Sequence, residues 1–148
     1  MDENLLWKIR EFVYRHFAET TRPPSVNKTA SHFRLTHEEA ASAYEELHQR
    51  HALFLNPETH DILMANPFSG VETPFKVHAN NKTYFANCAW DSLGIPAVLH
   101  VDTEIDSACA QSGEPIYLTV SNQQVQGRDA LVHLLIPFKD WYNDIPFT

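Results

Sequence analysis

The first fifty residues carry apolar positions at helical spacing, separated by short polar breaks. Over residues 3–19 the apolar side chains fall on one side of a helical wheel and the charged ones on the other, which predicts a helix. Ser25 and Thr36 each follow a break and are predicted to cap a second and a third helix. Thr36 has Glu39 three residues later, the spacing of a capping box. The third helix is expected to run to about Arg50.

Two short apolar runs, residues 52–55 and 62–64, follow the third helix on either side of a turn and predict a β-hairpin. Three helices followed by a hairpin form the winged-helix pattern, so residues 1–66 are predicted to be a winged-helix-like N-terminal domain. Such domains can bind DNA through the third helix. Here that helix contains four glutamates and one arginine, which would repel phosphates. A scaffold role is therefore favoured over DNA binding.

The second half of the chain carries short apolar runs separated by turn residues, which predict strands. Residues 66–76 carry Pro and Gly and are predicted to be a linker. The predicted fold class is α+β, with residues 67–148 forming a small mixed β-sheet domain that carries one key helix. The predicted strands are residues 77–79, 83–85, 99–101, 103–105, 116–120 and 130–136, with turns at 112–115 and 126–128.

Composition narrows the class of protein. The 148 residues include only two cysteines, too few for the disulfide framework of a secreted protein, and no run of 18 apolar residues. With a net charge of −8, the chain is not expected to bind nucleic acid or an anionic membrane. Only four glycines are present and no phosphate-binding loop, so no cofactor is predicted. We expect a cytoplasmic protein in a reducing setting, and the oligomeric state stays open.

The stretch 84–98, YFANCAWDSLGIPAV, holds the candidate chemistry. If it is helical, Cys88 and Asp91 lie three residues apart on one face, so a thiol would neighbour a carboxylate. The apolar side chains of Tyr84, Trp90 and Leu93 are predicted to form the walls of a substrate pocket around the pair. A soft nucleophile beside a proton donor is a plausible reaction centre. The alternative is a buried structural cysteine with a solvent-facing aspartate.

Five short blocks in this half resemble the organomercurial (alkylmercury) lyase family. They are Cys-Ala-Trp-Asp-Ser-Leu at 88–93, Ile-Pro-Ala at 95–97, Cys-Ala-Gln-Ser-Gly-Glu-Pro-Ile at 109–116, Leu-Thr-Val-Ser at 118–121 and Leu-Leu-Ile-Pro at 134–137. The resemblance covers about the last 65 residues, and the residues before them only in architecture. It also implies a winged-helix-like first domain that serves as structure.

The resemblance implies an enzyme that cleaves a carbon–mercury bond in a small organomercurial or a related substrate. By motif, Cys88 matches the first catalytic cysteine, which would bind mercury as substrate and product, and Asp91 matches the proton donor. Thiolate is the soft ligand that mercury needs, and protonating the departing carbon is a general-acid task. Asp91 would then need a raised pKa, supplied by burial against its aromatic neighbours. Cys109 matches a family cysteine with a structural role.

The sequence departs from the family pattern in two ways. The resemblance implies a second catalytic cysteine shortly after Pro137, and no third cysteine is present before the sequence ends at Thr148. Two interpretations follow: a chain cut short before that cysteine, or a shorter relative that is a non-catalytic, thiol-bearing binding or regulatory module. Cellular thiols are possible partners in either case. Asn87 also stands where an aromatic residue is expected.

The nine histidines offer weaker candidates. His48 and His51 lie three residues apart near Glu45, which would allow a surface metal site, although solvated helix ends are the more ordinary explanation. His100 and His133, predicted in strands, would have to approach Cys88 to act as a base.

Overall fold

The computed structural model describes residues 2–127, 129–134 and 136–143, and begins with three helices. They are α1 (Glu3–Thr20), α2 (Val26–Phe33) and α3 (His37–Gln49). All three predicted helices are confirmed. The Ser25 hydroxyl accepts from Lys28 N, and Thr36 and Glu39 form the predicted capping box.

A small antiparallel sheet follows the helices, with strands β1 (Phe54–Leu55), β2 (Ile62–Ala65) and β3 (Phe68–Ser69). The first two strands confirm the predicted hairpin. The linker predicted over residues 66–76 is wrong at its start, because β3 pairs with β2 as a third strand. The three helices and the hairpin occur in the predicted order, while their likeness to a winged helix remains an interpretation.

The second sheet has five strands in the order β5-β4-β6-β7-β8. They are β4 (Lys76–Ala79), β5 (Lys82–Phe85), β6 (Thr103–Ala108), β7 (Pro115–Ser121) and β8 (Gln124–Gly127), and helix α4 (Ala89–Leu99) lies between β5 and β6 in the chain. The α+β class is confirmed. The sheet predicted to be mixed is antiparallel in every pairing between described strands.

Two strand predictions and one turn prediction in this half are wrong. Leu99 ends α4 and His100 caps it in the left-handed region, so residues 99–101 form a helix end. Gln126 and Gly127 belong to β8 and not to a turn, while Arg128 lies outside the described residues. Residues 130–134 and 136 carry no strand, and Leu135 lies outside the described residues. A six-residue 3₁₀ helix, Phe138–Asn143, ends the described part.

One contiguous apolar core joins the N-terminal helices to the second sheet and α4. The Phe17 and Phe68 rings stack with their centroids 5.3 Å apart, so α1 packs directly on β3. Burying each such ring contributes on the order of 1.5–3 kcal/mol. The largest fully buried side chains are Leu6, Ile9, Val13, Phe17, Tyr44, Leu47, Leu53, Phe68, Val77, Tyr84, Ile95 and Ile105. Among the described residues, no helix has the length and apolar character to cross a membrane.

Gly70 directly follows β3, where its backbone N–H donates to the Leu63 carbonyl of β2 at 2.8 Å. A Cβ at this position would lie 2.1 Å from the Ile62 carbonyl oxygen, a contact with rigid backbone. We expect Gly70→Ala to lower the free energy of unfolding by an amount at the upper end of the roughly 1–3 kcal/mol that overpacking costs. Urea denaturation measures the change. Gly113→Ala is the matched control, because its φ of +72° imposes backbone strain but no atom lies within 4 Å of its Cβ. Equal losses in the two variants would contradict this account.

Candidate active site

Helix α4 begins at the candidate thiol. Cys88 is the N-cap residue, with φ −149° and ψ 179°, and its carbonyl accepts the first helical bond from Ser92 N at 3.0 Å. Asp91 lies in the first turn of the helix. The two residues therefore lie on the predicted face, and the Cys88 thiol and the Asp91 carboxylate are close enough for each to shift the pKa of the other. Thiol and carboxylate meet where the helix presents unpaired backbone N–H groups.

The Asp91 carboxylate is held by an asparagine pair. Asn87 Nδ2 donates to Asp91 Oδ2 at 3.1 Å and to Asn66 Oδ1 at 3.0 Å. Asn66 lies between β2 and β3 of the first sheet. The asparagine pair thus ties the start of α4 to the edge of the first sheet.

Burial is the largest cause of the pKa shifts of the Cys88 thiol and the Asp91 carboxylate. It raises the pKa of Cys88, and the charge of Asp91 adds to this increase, while the backbone N–H groups of Asp91 and Trp90 oppose it. Burial also raises the pKa of Asp91, against the hydrogen bonds from Asn87 and Cys88. Both pKa values are therefore shifted upward, and a raised pKa makes Asp91 a better proton carrier than an exposed aspartate.

Helix α1 supplies polar groups next to the carboxylate. Tyr14 Oη donates to the Asn66 carbonyl at 3.0 Å and accepts from Arg10 Nη2 at 3.2 Å. Burial raises the pKa of Tyr14, and the nearby Asp91 charge raises it further. Arg10 lies over the Tyr14 ring, 4.5 Å from its centroid, and also donates to the Ala52 carbonyl. These residues carried no sequence signal, because only the packing of α1 against the 66–67 turn brings them to the site.

The three predicted pocket residues lie in different surroundings. Tyr84 is in the core, 2% exposed, and its hydroxyl donates to the Ala18 carbonyl at 2.7 Å. Trp90 is 64% exposed, so it does not supply the burial of Asp91. Leu93 is half-buried and lines a cavity. Their roles toward a substrate stay predictions.

That cavity, of about 540 Å³, lies between α4 and the second sheet. Three residues of α4, Ala89, Ser92 and Leu93, form part of its wall, whereas Cys88 and Asp91 are not among the lining residues. Much of the lining is apolar, as pockets for organic groups commonly are. The apolar lining includes Phe75, Leu93, Ile105, Ile116, Leu118 and Val125.

Cys109 lies on the turn between β6 and β7 and lines the same cavity. The turn is closed by hydrogen bonds from Gly113 N to the Cys109 carbonyl and from Cys109 N to the Glu114 carbonyl. The thiol is half-buried, and hydrogen bonding by the Ser112 hydroxyl and neighbouring amides lowers its pKa. The structural role predicted for Cys109 stays a prediction, and its thiol has the more ionisable character of the two.

The opposite pKa shifts predict an order of reactivity. Because the thiolate is the nucleophile, Cys109 should react with iodoacetamide faster than Cys88 near neutral pH. Raising the pH should increase the Cys88 rate through a midpoint above the ordinary thiol value, whereas the Cys109 rate should level off below it. Peptide mapping of protein alkylated at a series of pH values measures both rates. Faster labelling of Cys88 at neutral pH would contradict the assigned environments.

The histidine candidates do not form a metal centre in the part of the chain that the structure describes. His51 stacks on Tyr142 with ring centroids 4.2 Å apart, and His48 Nδ1 accepts from Leu55 N at 3.4 Å. His100 is the C-cap of α4, at the end opposite Cys88. His133 is exposed and lines the cavity. The base roles considered for His100 and His133 stay untested predictions.

The fold and site define a class: an α+β protein with a neighbouring thiol and carboxylate at a helix N-terminus and an apolar cavity lined by the same helix. The family model for alkylmercury lyase matches residues 68–146, more than half of the chain. The chain therefore belongs to the alkylmercury lyase family, and the resemblance drawn from the five sequence blocks is confirmed.

Individual relatives agree with this assignment over part of their length. The chain is 33% identical over 69 residues to an alkylmercury lyase from Pseudomonas putida, which is 45% of this chain and 32% of that protein. The crystal structure of the mercury-bound form of MerB2 has the same fold, with a TM-score of 0.61 and 23% identity over 82% of this chain and 65% of that one. The chain thus spans about a third of the P. putida relative and about two thirds of the MerB2 chain.

Proposed function

We propose that this chain cleaves the carbon–mercury bond of organomercurials by protonolysis, with Cys88 binding the mercury and Asp91 carrying the proton. The observation that supports this proposal is the juxtaposition of the half-buried Cys88 thiol and the Asp91 carboxylate in the first turn of α4, where each group shifts the pKa of the other. A soft sulfur ligand and a proton carrier in contact are the two groups that the reaction requires.

The reaction balances without an oxidant or reductant. The thiol of Cys88 displaces the counter-ligand of an organomercury cation, forming a sulfur–mercury bond while its proton passes to the Asp91 carboxylate. A second thiolate then binds the mercury and weakens the mercury–carbon bond. Protonated Asp91 delivers its proton to the carbon, so that the carbon–mercury bond breaks as a carbon–hydrogen bond forms. Mercury remains divalent and is left bound to two sulfurs.

The second sulfur is proposed to come from a small thiol. The chain contains two cysteines, and Cys109 lies on the β6–β7 turn rather than on α4. A low-molecular-weight thiol of the reducing cytoplasm carries the same ligand atom. Cellular thiols and a cytoplasmic location are thus parts of this proposal, as is the absence of a nucleic-acid partner.

The apolar cavity beside Ala89 is proposed to receive the organic group. Its lining of Phe75, Leu93 and Ile105 would remove an aryl or alkyl group from water. Partial exclusion of water also favours proton delivery to carbon from Asp91 over exchange with solvent.

The alternative is a thiol-bearing binding or regulatory module of the same fold. It is favoured by the raised pKa of Cys88, which lowers the population of thiolate at neutral pH. Such a module would hold an organomercurial at Cys88 without releasing the organic group.

Product analysis separates the two proposals. The Cys109→Ser protein, which removes the competing thiol, is incubated with phenylmercury and increasing free cysteine, and benzene is quantified by gas chromatography. The lyase proposal predicts benzene above the buffer blank, a rate that rises and then saturates with cysteine, and no benzene from Cys88→Ser in the same background. Benzene at the blank level at every cysteine concentration would contradict the lyase and favour the binding module.

A further inference from the structure

Asn87 donates both hydrogens of its side-chain amide to oxygen acceptors. One goes to Asp91 Oδ2 at 3.1 Å and the other to Asn66 Oδ1 at 3.0 Å. An ionised carboxylate can only accept hydrogen bonds, so the NH₂ end of Asn87 must face Asp91. This orientation is therefore set by the chemistry of the partner.

The same orientation leaves the other end of the amide unpaired. Asn87 Oδ1 is buried and has no hydrogen-bond partner within the described part of the chain. A buried acceptor without a donor destabilises the folded protein. An arrangement that costs stability while it satisfies one carboxylate is typical of a group kept for function.

From these observations we infer that Asn87 is a positioning residue for the proton carrier: it anchors the Asp91 side chain to Asn66 and so holds the carboxylate beside the Cys88 thiol. This inference rests on the proposed lyase function and deepens it. Asn87 acts mainly on the transfer of the proton to carbon, because that step requires the Asp91 proton, whereas the thiol proton released during capture can also pass to water. Asn66 provides the fixed point, since it belongs to the turn between β2 and β3.

The inference predicts that substitutions of Asn87 change the rate of benzene release but not the rate of mercurial capture. In the Cys109→Ser background, Asn87→Leu should leave the rate of phenylmercury capture at Cys88 within about twofold. It should lower the rate of benzene release by about 10- to 100-fold, the range expected for one hydrogen bond to a charged group. Asn87→Asp, which keeps the shape but removes the donor, should lower release at least as much. Asn66→Ala should lower release less, because Asn87 still contacts Asp91.

Thermal unfolding separates positioning from a structural role. Asn87→Leu removes a buried unpaired oxygen but also the donor to Asp91 and Asn66, so the two effects offset each other and the melting temperature should stay close to that of the parent protein. A fall in melting temperature with parallel losses of capture and release would overturn the inference, as would an unchanged rate of release.

The hydrogen bonds from Asn87 to Asp91 and Asn66 can also be tested without any catalytic turnover. The side-chain amide proton signals of Asn87, followed by NMR in the ligand-free protein, should move in Asp91→Ala. They should stay in place in the matched control Asp102→Ala, since Asp102 bonds Ser121 and Asn122 instead. If the parent protein releases no benzene, the lyase proposal fails. The NMR comparison would still show whether Asn87 is hydrogen-bonded to Asp91. Asn87 amide signals that do not move in Asp91→Ala would overturn the inference.

Discussion

Asp91→Asn is expected to lower the release of the organic group from the Cys88–mercury adduct by about 10²- to 10⁴-fold, the contribution typical of a general acid. Asparagine keeps the shape of the side chain and still accepts from Asn87, but it has no proton to give to carbon. Capture of the mercurial at Cys88 should continue, because the sulfur ligand is intact. Single-turnover release of benzene from preformed adduct measures the effect.

Asp102→Asn is the matched control for this substitution. Its carboxylate is exposed and bonds the Ser121 hydroxyl and the Asn122 backbone, so its loss should leave benzene release unchanged. Release from Asp91→Asn at more than a tenth of the parent rate would remove Asp91 from the mechanism. The proton would then have to come from another donor.

Cys88→Ser is expected to abolish capture of the mercurial in the Cys109→Ser background. A serine hydroxyl is a hard, neutral ligand and does not replace thiolate at a soft metal such as mercury. The fold should be retained, because Cys88 is the N-cap of α4 and serine is a preferred residue at that position. Intact mass after incubation with phenylmercury, together with a melting curve, measures both expectations.

An adduct on this double variant would contradict the assignment of the thiol site, since the chain has only two cysteines. Loss of the adduct with a strongly lowered melting temperature would instead mean that Cys88 is a packing residue. The reference protein for this comparison is the Cys109→Ser single variant, which is expected to form one phenylmercury adduct per chain.

The N-terminal helices were predictable because their signals are local. Ser25 and Thr36 cap their helices through their own hydroxyls, and Glu39 closes the capping box within four residues. The Asn80–Asn81 turn between β4 and β5 is equally local, since both residues take positive φ, at 51° and 59°. Asparagine tolerates that region better than most residues.

The later strands were less predictable because their signals are weak or ambiguous. Strand β8 is exposed along its whole length, so it shows no alternation that would separate it from a turn. The apolar run 130–136 has the composition of a strand, yet its described residues pair with no neighbour. A short apolar run does not by itself distinguish a strand from a loop that covers a cavity.

The residues of the candidate site also differ in whether local sequence signals predicted them. The spacing of Cys88 and Asp91 places them on one helical face, and this pairing followed from the sequence. The contacts of Asn66, Tyr14 and Arg10 did not, because these residues lie 22 or more positions before Cys88 and meet the site only through tertiary packing. Asn87 gave a faint signal, as a polar residue where the family resemblance led us to expect an aromatic one.

The most direct test of the carbon–mercury cleavage is a single-turnover reaction in D₂O. Cys109→Ser protein preloaded with phenylmercury receives excess cysteine, and the isotopic composition of the benzene is read by mass spectrometry. The account predicts one equivalent of monodeuterated benzene per chain, because exchangeable hydrogen from the thiol reaches carbon through Asp91. Recovery of intact phenylmercury, with benzene no higher than in the protein-free blank, would contradict it.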